Sequence, residues 1–354
     1  MIPEIEIAGR RIGPDRPPFI VAELSGNHDG SLERALRIVD AIAEAGADAV
    51  KLQTYTADML TIDSRREDFL IRDSGTPWEG RNLYELYEQA HTPMDWHAAL
   101  FERAREHGLI CFSSPFEPEA VDFLEGLDCP AYKIASFENN HLELIRHAAA
   151  TGKPVLISSG LSDVATLDEA VAAVHAAGGD SPLLFKCTSS YPGDPRDSHL
   201  RTVPHMRDLF GCQVGLSDHT PGIGVPVAAV AHGAVAIEKH VTLDRAAGGV
   251  DAAFSLEPAE LAALVTETRR AWEAGGGVRY EPTDAEAGAR RFKRSLYVVR
   301  DLRRGDTLTR ENLRVIRPGY GLAPRHLDAV LGMSVNADIE RGTPLSWDLL
   351  RPDT

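Results

Sequence analysis

The sequence predicts an α/β protein, a (β/α)8 barrel of the TIM type followed by a small β-rich domain. Three observations carry this. Eight short apolar runs alternate with helical patterns over the first 255 or so residues, the size and rhythm of eight βα units. Polar side chains gather at the C-terminal end of every run rather than at one point. Beyond residue 274 the composition turns Gly-rich, then charged, and then into alternating short strands, and 354 residues exceed the usual size of a single core.

Residues 1–18 place Ile2, Ile5 and Ile7 in alternation around a turn at Gly9, which predicts a hairpin ahead of the barrel. The strand runs are 19–23, 49–53, 109–113, 131–136, 154–158, 183–188, 213–216 and 234–240, short and bracketed by Gly or Pro, as buried parallel strands are. Helical patterns fill 32–45 (apolar at 36, 39, 42 and 43), 94–106, 118–124, 142–150, 164–176, 225–232 and 258–274. The barrel with its hairpin is therefore residues 1–274. A doubly wound open sheet is the structural alternative, but no GxGxxG follows the first strand. An insertion at 55–92 interrupts the rhythm, and its Trp78, Tyr84 and Tyr87 either wall a pocket or pack a surface helix. Residues 275–294 read as a linker. Residues 295–354 form the small β-rich domain, with strand-like runs at 295–301, 313–319 and 334–340 and turns at Arg304-Gly305-Asp306 and Arg341-Gly342-Thr343. A unit that small needs something to dock against.

With 43% hydrophobic and 25% charged residues the chain reads as an ordinary soluble protein, and a net charge of -16 argues against nucleic acid and anionic membranes as partners. An anionic substrate must then be held by local lysines and arginines. No basic segment followed by an apolar one opens the sequence, and no run approaches the roughly 20 apolar residues of a membrane span, which points to the cytoplasm. Cys111, Cys129, Cys187 and Cys212 form no CxxC pair and read as small buried residues.

The strand ends carry the chemistry. They present Glu23, Lys51 with Gln53, Ser113 with Ser114, Lys133 with Ser136 and Glu138, Ser158 with Ser159, Lys186 with Thr188 to Tyr191, Ser217 with Asp218 and His219, and Glu238 with Lys239 and His240. His219 and His240 fall just past two consecutive strands, and neighbouring parallel strands lie about 5 Å apart, so the two imidazoles can share one metal ion. Asp218, Glu238 and Asp251 lie close to them in sequence; two ordinary hydrogen-bonded histidines are the alternative. Lys51 and Lys133 sit in otherwise apolar strands and need an anion. Two lysines among several serine hydroxyls suit a phosphate and a carboxylate, whereas internal ion pairs to Glu23 or Glu238 are the plainer alternative. Together the groups fit a phosphorylated acid joined to a carbonyl polarised by metal. A Schiff-base aldolase with Lys133 or Lys186 as nucleophile is the other enzyme class in view.

Long motifs over nearly the whole chain, AELSGNHDG, GADAVKLQTYT, CFSSPFE, AYKIASFE, ISSGL, KCTSSYP, VGLSDHT, IEKHVTLDR, VDAAFSLEP, RSLYVVRDLRRGD and IRPGYGL, resemble the sialic acid synthase family. The resemblance implies a barrel followed by an antifreeze-like (SAF) domain, and condensation of phosphoenolpyruvate with an amino sugar to give a nine-carbon acid. Leu24 and Ser25, the GTPWEGRNLYELYEQAHTP insertion, and CFSSPF with KIASFEN look closer to the pseudaminic acid branch than to the N-acetylneuraminate branch. The expected sugar is then 2,4-diacetamido-2,4,6-trideoxy-L-altrose, with N-acetylneuraminate or legionaminate synthesis as the alternatives. Asp29 and the Gly249-Val250-Asp251 tripeptide depart from the commoner Asn and Gly-Pro-Asp.

Carried over motif by motif, the resemblance implies that His219 and His240 hold a divalent metal cofactor, Mn2+ or Mg2+, although imidazole ligation alone also admits Zn2+, Co2+ or Fe2+. Lys51, Ser114, Lys133, Ser136, Ser158 and Ser217 would bind phosphoenolpyruvate, while Glu23, Gln53, Tyr191 and Asp251 would contact the sugar. Glu138 would serve the attacking water. Lys186 is a candidate phosphate ligand, with strand alternation leaving its face open. The resemblance also implies a domain-swapped homodimer in which Arg317 reaches the sugar bound by the other protomer, a crossing that the linker is long enough to make. An ice- or polysaccharide-binding role for the C-terminal domain is disfavoured by Arg300, Asp301, Arg303, Arg304, Asp306, Arg310 and Glu311, since such a face should be flat and uncharged.

Overall fold

A computed structural model describes residues 2–72 and 79–350; Trp78 lies outside the described residues. The chain divides into two units, Met1–Gly276 and Gly277–Thr354. The first unit opens with the expected hairpin, β1 (Ile5–Ile7) paired antiparallel with β2 (Arg10–Ile12). Ala8 and Gly9 turn it at φ of 48° and 81°, both left-handed, which a tight two-residue hairpin loop demands.

Eight parallel strands follow: β3 (Phe19–Glu23), β4 (Ala49–Thr54), β5 (Ile110–Pro115), β6 (Tyr132–Ile134), β7 (Val155–Ser158), β8 (Leu183–Cys187), β9 (Val214–Asp218) and β10 (Ala236–His240). They close in sequence order, β10 pairing back onto β3, so the expected barrel is the observed one. The helices of this unit are α1 (Leu32–Glu44), α2 (Ala57–Leu60), α3 (Leu83–Ala90), α4 (His97–Glu106), α5 (Pro118–Glu125), α6 (Leu142–Ala150), α7 (Val164–Ala176), α8 (Thr202–Phe210), α9 (Gly224–Ala231) and α10 (Pro258–Gly275). Sequence periodicity missed α8, which buries only Val203 and Met206 and carries Pro204 in its first turn. Its readable signal was Gly211, the left-handed residue at φ 63° that ends it.

The hairpin closes the N-terminal mouth of the barrel. Ile7 and Ile12 are buried in the same core as the strands, Arg10 donates to Asp48 Oδ1 at 3.1 Å, and the other Asp48 oxygen accepts from the Ile20 amide at 2.8 Å. Gln213, just ahead of β9, donates to the Pro3 carbonyl at 3.1 Å. That end is sealed, so chemistry is left to the C-terminal mouth.

Register decides which side chains face inward. Residues level with one another on neighbouring parallel strands share a face, and the ladder pairs Glu23 with Lys51, Gln53 with Ser114, Ser158 with Phe185, Cys187 with Ser217, Ser217 with Glu238, and His240 with Glu23. Phe185 floors this inward set. A Cβ on Gly215 would lie 2.9 Å from the Phe185 ring, so glycine is what lets the ring lie across the barrel there.

In the second unit β11 (Ser295–Val298) pairs antiparallel with β12 (Leu313–Ile316), followed by the short helix α11 (Leu327–Val330). The third expected strand, 334–340, forms only isolated bridges among the described residues: Leu302 with Ile339, Thr307 with Ser334 and Val335 with Leu350. It buries Val335 and Ile339 in a small core with Leu296, Val298, Leu313 and Leu345 without joining a ladder. Within the segment read as linker, Asp284–Phe292 is a 3-10 helix opened by a Thr283–Glu286 capping box and exposed throughout. No helix among the described residues is long and apolar enough to cross a membrane.

Candidate active site

Inside the C-terminal mouth, Lys51, Lys133, Glu23 and Glu238 are each at most 3% exposed. Oε1 of Glu238 accepts from Lys51 Nζ, Lys133 Nζ and Ser217 Oγ, each at 3.0 Å. Lys51 also lies 3.0 Å from Glu23 Oε2, while Gln53 donates to Glu23 Oε1 at 2.7 Å. The internal ion pairs weighed for the two lysines are therefore present. The two cations are not equivalent. Burial works against the charge of Lys51, but Glu23 and Glu238 together raise its pKa above the ordinary value. Lys133 meets Glu238 and the Phe185 ring, and burial leaves its pKa lowered. Burial pushes Glu23 up, but its contacts with His240 and Lys51 outweigh that and hold it well below the usual carboxylate range.

The histidines stand at the ends of β9 and β10 with ring centroids 5.3 Å apart. The Phe254 ring packs against both, at 5.7 Å from His219 and 4.9 Å from His240. Tyr191 packs against His219 at 4.4 Å. The Nδ1–H of His219 donates to the Thr188 carbonyl at 3.0 Å, which turns Nε2 toward the cavity. His240 Nε2 lies 3.1 Å from Glu23 Oε2, and its buried Nδ1 lies 3.7 Å from Asp251 Oδ2 without a hydrogen bond. Among the described residues no three His, Cys, Asp or Glu side chains converge on one point. Two imidazoles bonding one ion at about 2.0–2.1 Å each would place their centroids roughly 5–6 Å apart. The spacing of the pair fits one shared ion.

These groups line one cavity of about 270 Å³ together with Gln53, Ser136, Glu138, Ser158, Ser217, Tyr191 and Asp251. Buried side-chain atoms without hydrogen-bond partners among the described residues collect around it: Glu138 Oε2, Ser158 Oγ, Glu238 Oε2 and His240 Nδ1 on the wall, and Ser114 Oγ on the same strand face. Unsatisfied buried polar groups are uncommon, and a cluster of them marks where a ligand completes the bonding. Burial pushes Glu138 up to about 7, against the smaller pull of a backbone hydrogen bond and of Lys133. The loops beneath are fixed. Asn139 donates to the carbonyls of Ser158 and Gly160 at 3.1 Å and 3.0 Å, and the Gly160 amide donates to Ser136 Oγ at 3.2 Å.

Lys186 is a correction. It pairs with Leu216 on the outer face of β8, its Nζ donating to Thr188 Oγ1 at 2.6 Å, because strand alternation gives the inward position to its neighbour. That neighbour, Cys187, lines the cavity beside His219, and sequence reading missed it. Burial raises its thiol, but the nearness of His219, with Ser136 and Lys133, brings it down to about 7. Fixing the alternation from Phe185, an aromatic side chain in the middle of the run, would have identified it. Of the insertion aromatics Tyr87 lines the cavity, edge-on to Tyr55 at 6.0 Å, while Tyr84 reaches Asp58 at 3.4 Å instead. Arg317 lies exposed in the second unit, directly after β12.

Comparison with known proteins points the same way. A model described as the NeuB family matches residues 38–280, and an SAF domain model matches residues 293–351. The pseudaminic acid synthase of Campylobacter jejuni subsp. jejuni serotype O:23/36 (strain 81-176) is 42% identical over 331 residues, 94% of this chain and 96% of that protein. The pseudaminic acid synthase of Helicobacter pylori (strain ATCC 700392 / 26695) is also 42% identical, over 94% of this chain and 98% of that one. Among solved structures, the N-acetylneuraminic acid synthetase of Leptospira borgpetersenii serovar Hardjo-bovis, in complex with citrate, superposes with a TM-score of 0.72 at 32% identity, covering 82% of this chain and 95% of that chain.

Glu238→Ala would leave two buried ammonium groups without their common partner. The expected loss is about 3–5 kcal/mol of barrel stability, measured by urea denaturation. A loss below about 1 kcal/mol would show that the lysines do not depend on this carboxylate.

Proposed function

The chain belongs to the NeuB family, and from that premise we propose that it is a pseudaminic acid synthase, condensing phosphoenolpyruvate with 2,4-diacetamido-2,4,6-trideoxy-L-altrose and releasing phosphate. The observation that carries this reading is the buried Lys51–Glu238–Lys133 cluster ringed by unpartnered hydroxyl and carboxylate oxygens. Such a site suits a small, highly charged acid. The 42% identity to pseudaminic acid synthases, against 32% to the N-acetylneuraminic acid synthetase, supports the choice of sugar.

In this reading Lys133, Lys51 and the hydroxyls of Ser114, Ser136, Ser158 and Ser217 hold the phosphate and carboxylate of phosphoenolpyruvate, while Glu23, Gln53, Tyr191 and Asp251 orient the open-chain sugar. His219 and His240 would hold a divalent ion, Mn2+ or Mg2+, which when bound supplies Lewis-acid polarisation of the sugar aldehyde. The C=C electrons of phosphoenolpyruvate form the new bond from C3 to the aldehyde carbon as the carbonyl π bond breaks, the aldehyde oxygen takes up a proton to become a hydroxyl, and positive charge is left at C2. Water adds to C2 as Glu138 takes its proton; the new C2 hydroxyl then loses its remaining proton to the leaving group as the C2–O bond to phosphate breaks, so C2 becomes the ketone and phosphate departs with the bridging oxygen. Glu138 suits the task because a base with a pKa of about 7 is poised near neutral pH.

Phosphate release from phosphoenolpyruvate with a panel of amino sugars tests the assignment. We expect turnover with the altro-configured diacetamido sugar, little or none with N-acetylmannosamine, and reversible silencing by EDTA. Equal efficiency on the two sugars would move the chain to another branch. A Schiff-base aldolase, which the lowered pKa of Lys133 would otherwise suit, takes pyruvate and releases no phosphate.

The pH profile tests Glu138 separately. A general base must be ionised, so kcat/KM should rise with pH through about 7 and level off above it. Glu138→Gln should lower the rate by ~10²- to 10⁴-fold and abolish that acidic limb. An unchanged limb in the variant would assign the titration elsewhere.

A further inference from the structure

Ser25 holds a backbone conformation that its own side chain disfavours. Its φ is 50°, in the left-handed region where a Cβ crowds the backbone and glycine is the usual occupant. It is also 2% exposed, and it lines the cavity at the turn between β3 and α1. Residues kept in such a conformation at a ligand site are retained for what the side chain does. Here the hydroxyl donates to Asp251 Oδ2, the same oxygen that faces His240 Nδ1 at 3.7 Å.

The rest of the turn fastens the same loop. Asn27, on the 3-10 helix Ser25–His28, donates to Ser255 Oγ at 2.8 Å and to the Val241 carbonyl at 2.9 Å, and Ser255 Oγ in turn donates to the Asp251 backbone carbonyl at 2.7 Å. The backbone of residue 251 is thus anchored through Asn27 and Ser255. Among the described residues the carboxylate has one hydrogen bond, from Ser25.

We propose that Ser25 is a positioning residue of the condensation: its hydroxyl orients the Asp251 carboxylate toward His240 and the sugar, and this is why a serine occupies a position suited to glycine. The inference rests on the assignment of Asp251 to the sugar site. Asp251 is carried on an irregular loop of 3-10 turns, so its rotamer must be set by a neighbour, and a misplacement of about 1 Å at a reacting centre can cost ~10²-fold in rate.

Ser25→Gly separates positioning from architecture, because it relieves the backbone while deleting the hydroxyl. Thermal unfolding of the full chain should show a midpoint equal to or above that of the parent. With whichever sugar supports phosphate release, kcat/KM should fall ~10- to 100-fold. Ser25→Ala, which keeps the Cβ and loses only the hydroxyl, should show the same kinetic loss, and a pH profile of unchanged shape in both variants would keep Glu138 out of the effect. In the Asp251→Ala background Ser25→Gly should cost nothing further. A Ser25→Gly enzyme within twofold of parental kcat/KM overturns the proposal, as does a midpoint lowered in proportion to the lost activity. If Asp251→Ala itself keeps the parental rate, the sugar-site assignment fails instead.

Discussion

One carboxylate oxygen, Oε1 of Glu238, accepts from two buried ammonium groups and a hydroxyl inside a closed barrel, and the arrangement of the site follows from it. Taking a charge out of water costs several kcal/mol per ion even after relaxation, so neither lysine would stay ionised at 1–2% exposure without such a partner. Glu238 can serve both because β4 and β6 present their lysines inward while β10 presents its carboxylate across the interior. Lys51 is neutralised twice, by Glu238 and Glu23. Lys133 shares one carboxylate and therefore has the most to gain from an incoming anion. A chain of net charge -16 needs such a local arrangement to draw in a negatively charged substrate.

Around this centre the chemistry is divided by barrel position. The β5 to β7 side supplies hydroxyls and Glu138, which burial tunes to about 7. The β9 to β10 side supplies the paired imidazoles, with Phe254 packed against both. Outside the barrel wall, Lys239 and Asp218 form a fully buried pair at 2.9 Å that ties β9 to β10 one residue away from each histidine. Stability and function are separated along the barrel axis. The hairpin and Asp48 close the N-terminal mouth, and the loops at the opposite mouth are held by hydrogen bonds from Asn139 and Asn27.

Much of this was legible in the sequence because parallel barrel strands are short apolar runs whose C-terminal residues are polar for a reason. The eight strands, the hairpin around Gly9 and the convergence of Glu23, Lys51, Lys133, Ser158, Ser217, His219, Glu238 and His240 all follow from that pattern. What escaped depended on facts that a pattern does not carry. Lys186 and Cys187 differ only in strand parity, which neighbouring register fixes and composition does not. Helix α8 buries two side chains and so leaves no periodicity to read. The run at 334–340 alternates like a strand because alternate residues pack inward, yet it finds only isolated bridges. Ser25 looked like a branch marker, and its bond to Asp251 spans 226 positions of sequence.

If water reaches C2 of phosphoenolpyruvate through Glu138, carbon–oxygen rather than phosphorus–oxygen bond breaking releases phosphate. Phosphoenolpyruvate labelled with heavy oxygen at the bridging position between C2 and phosphorus tests it in one mass measurement. The account predicts that the label leaves with the phosphate. Label retained in the sugar acid would mean attack at phosphorus, and would contradict the role assigned to this pocket.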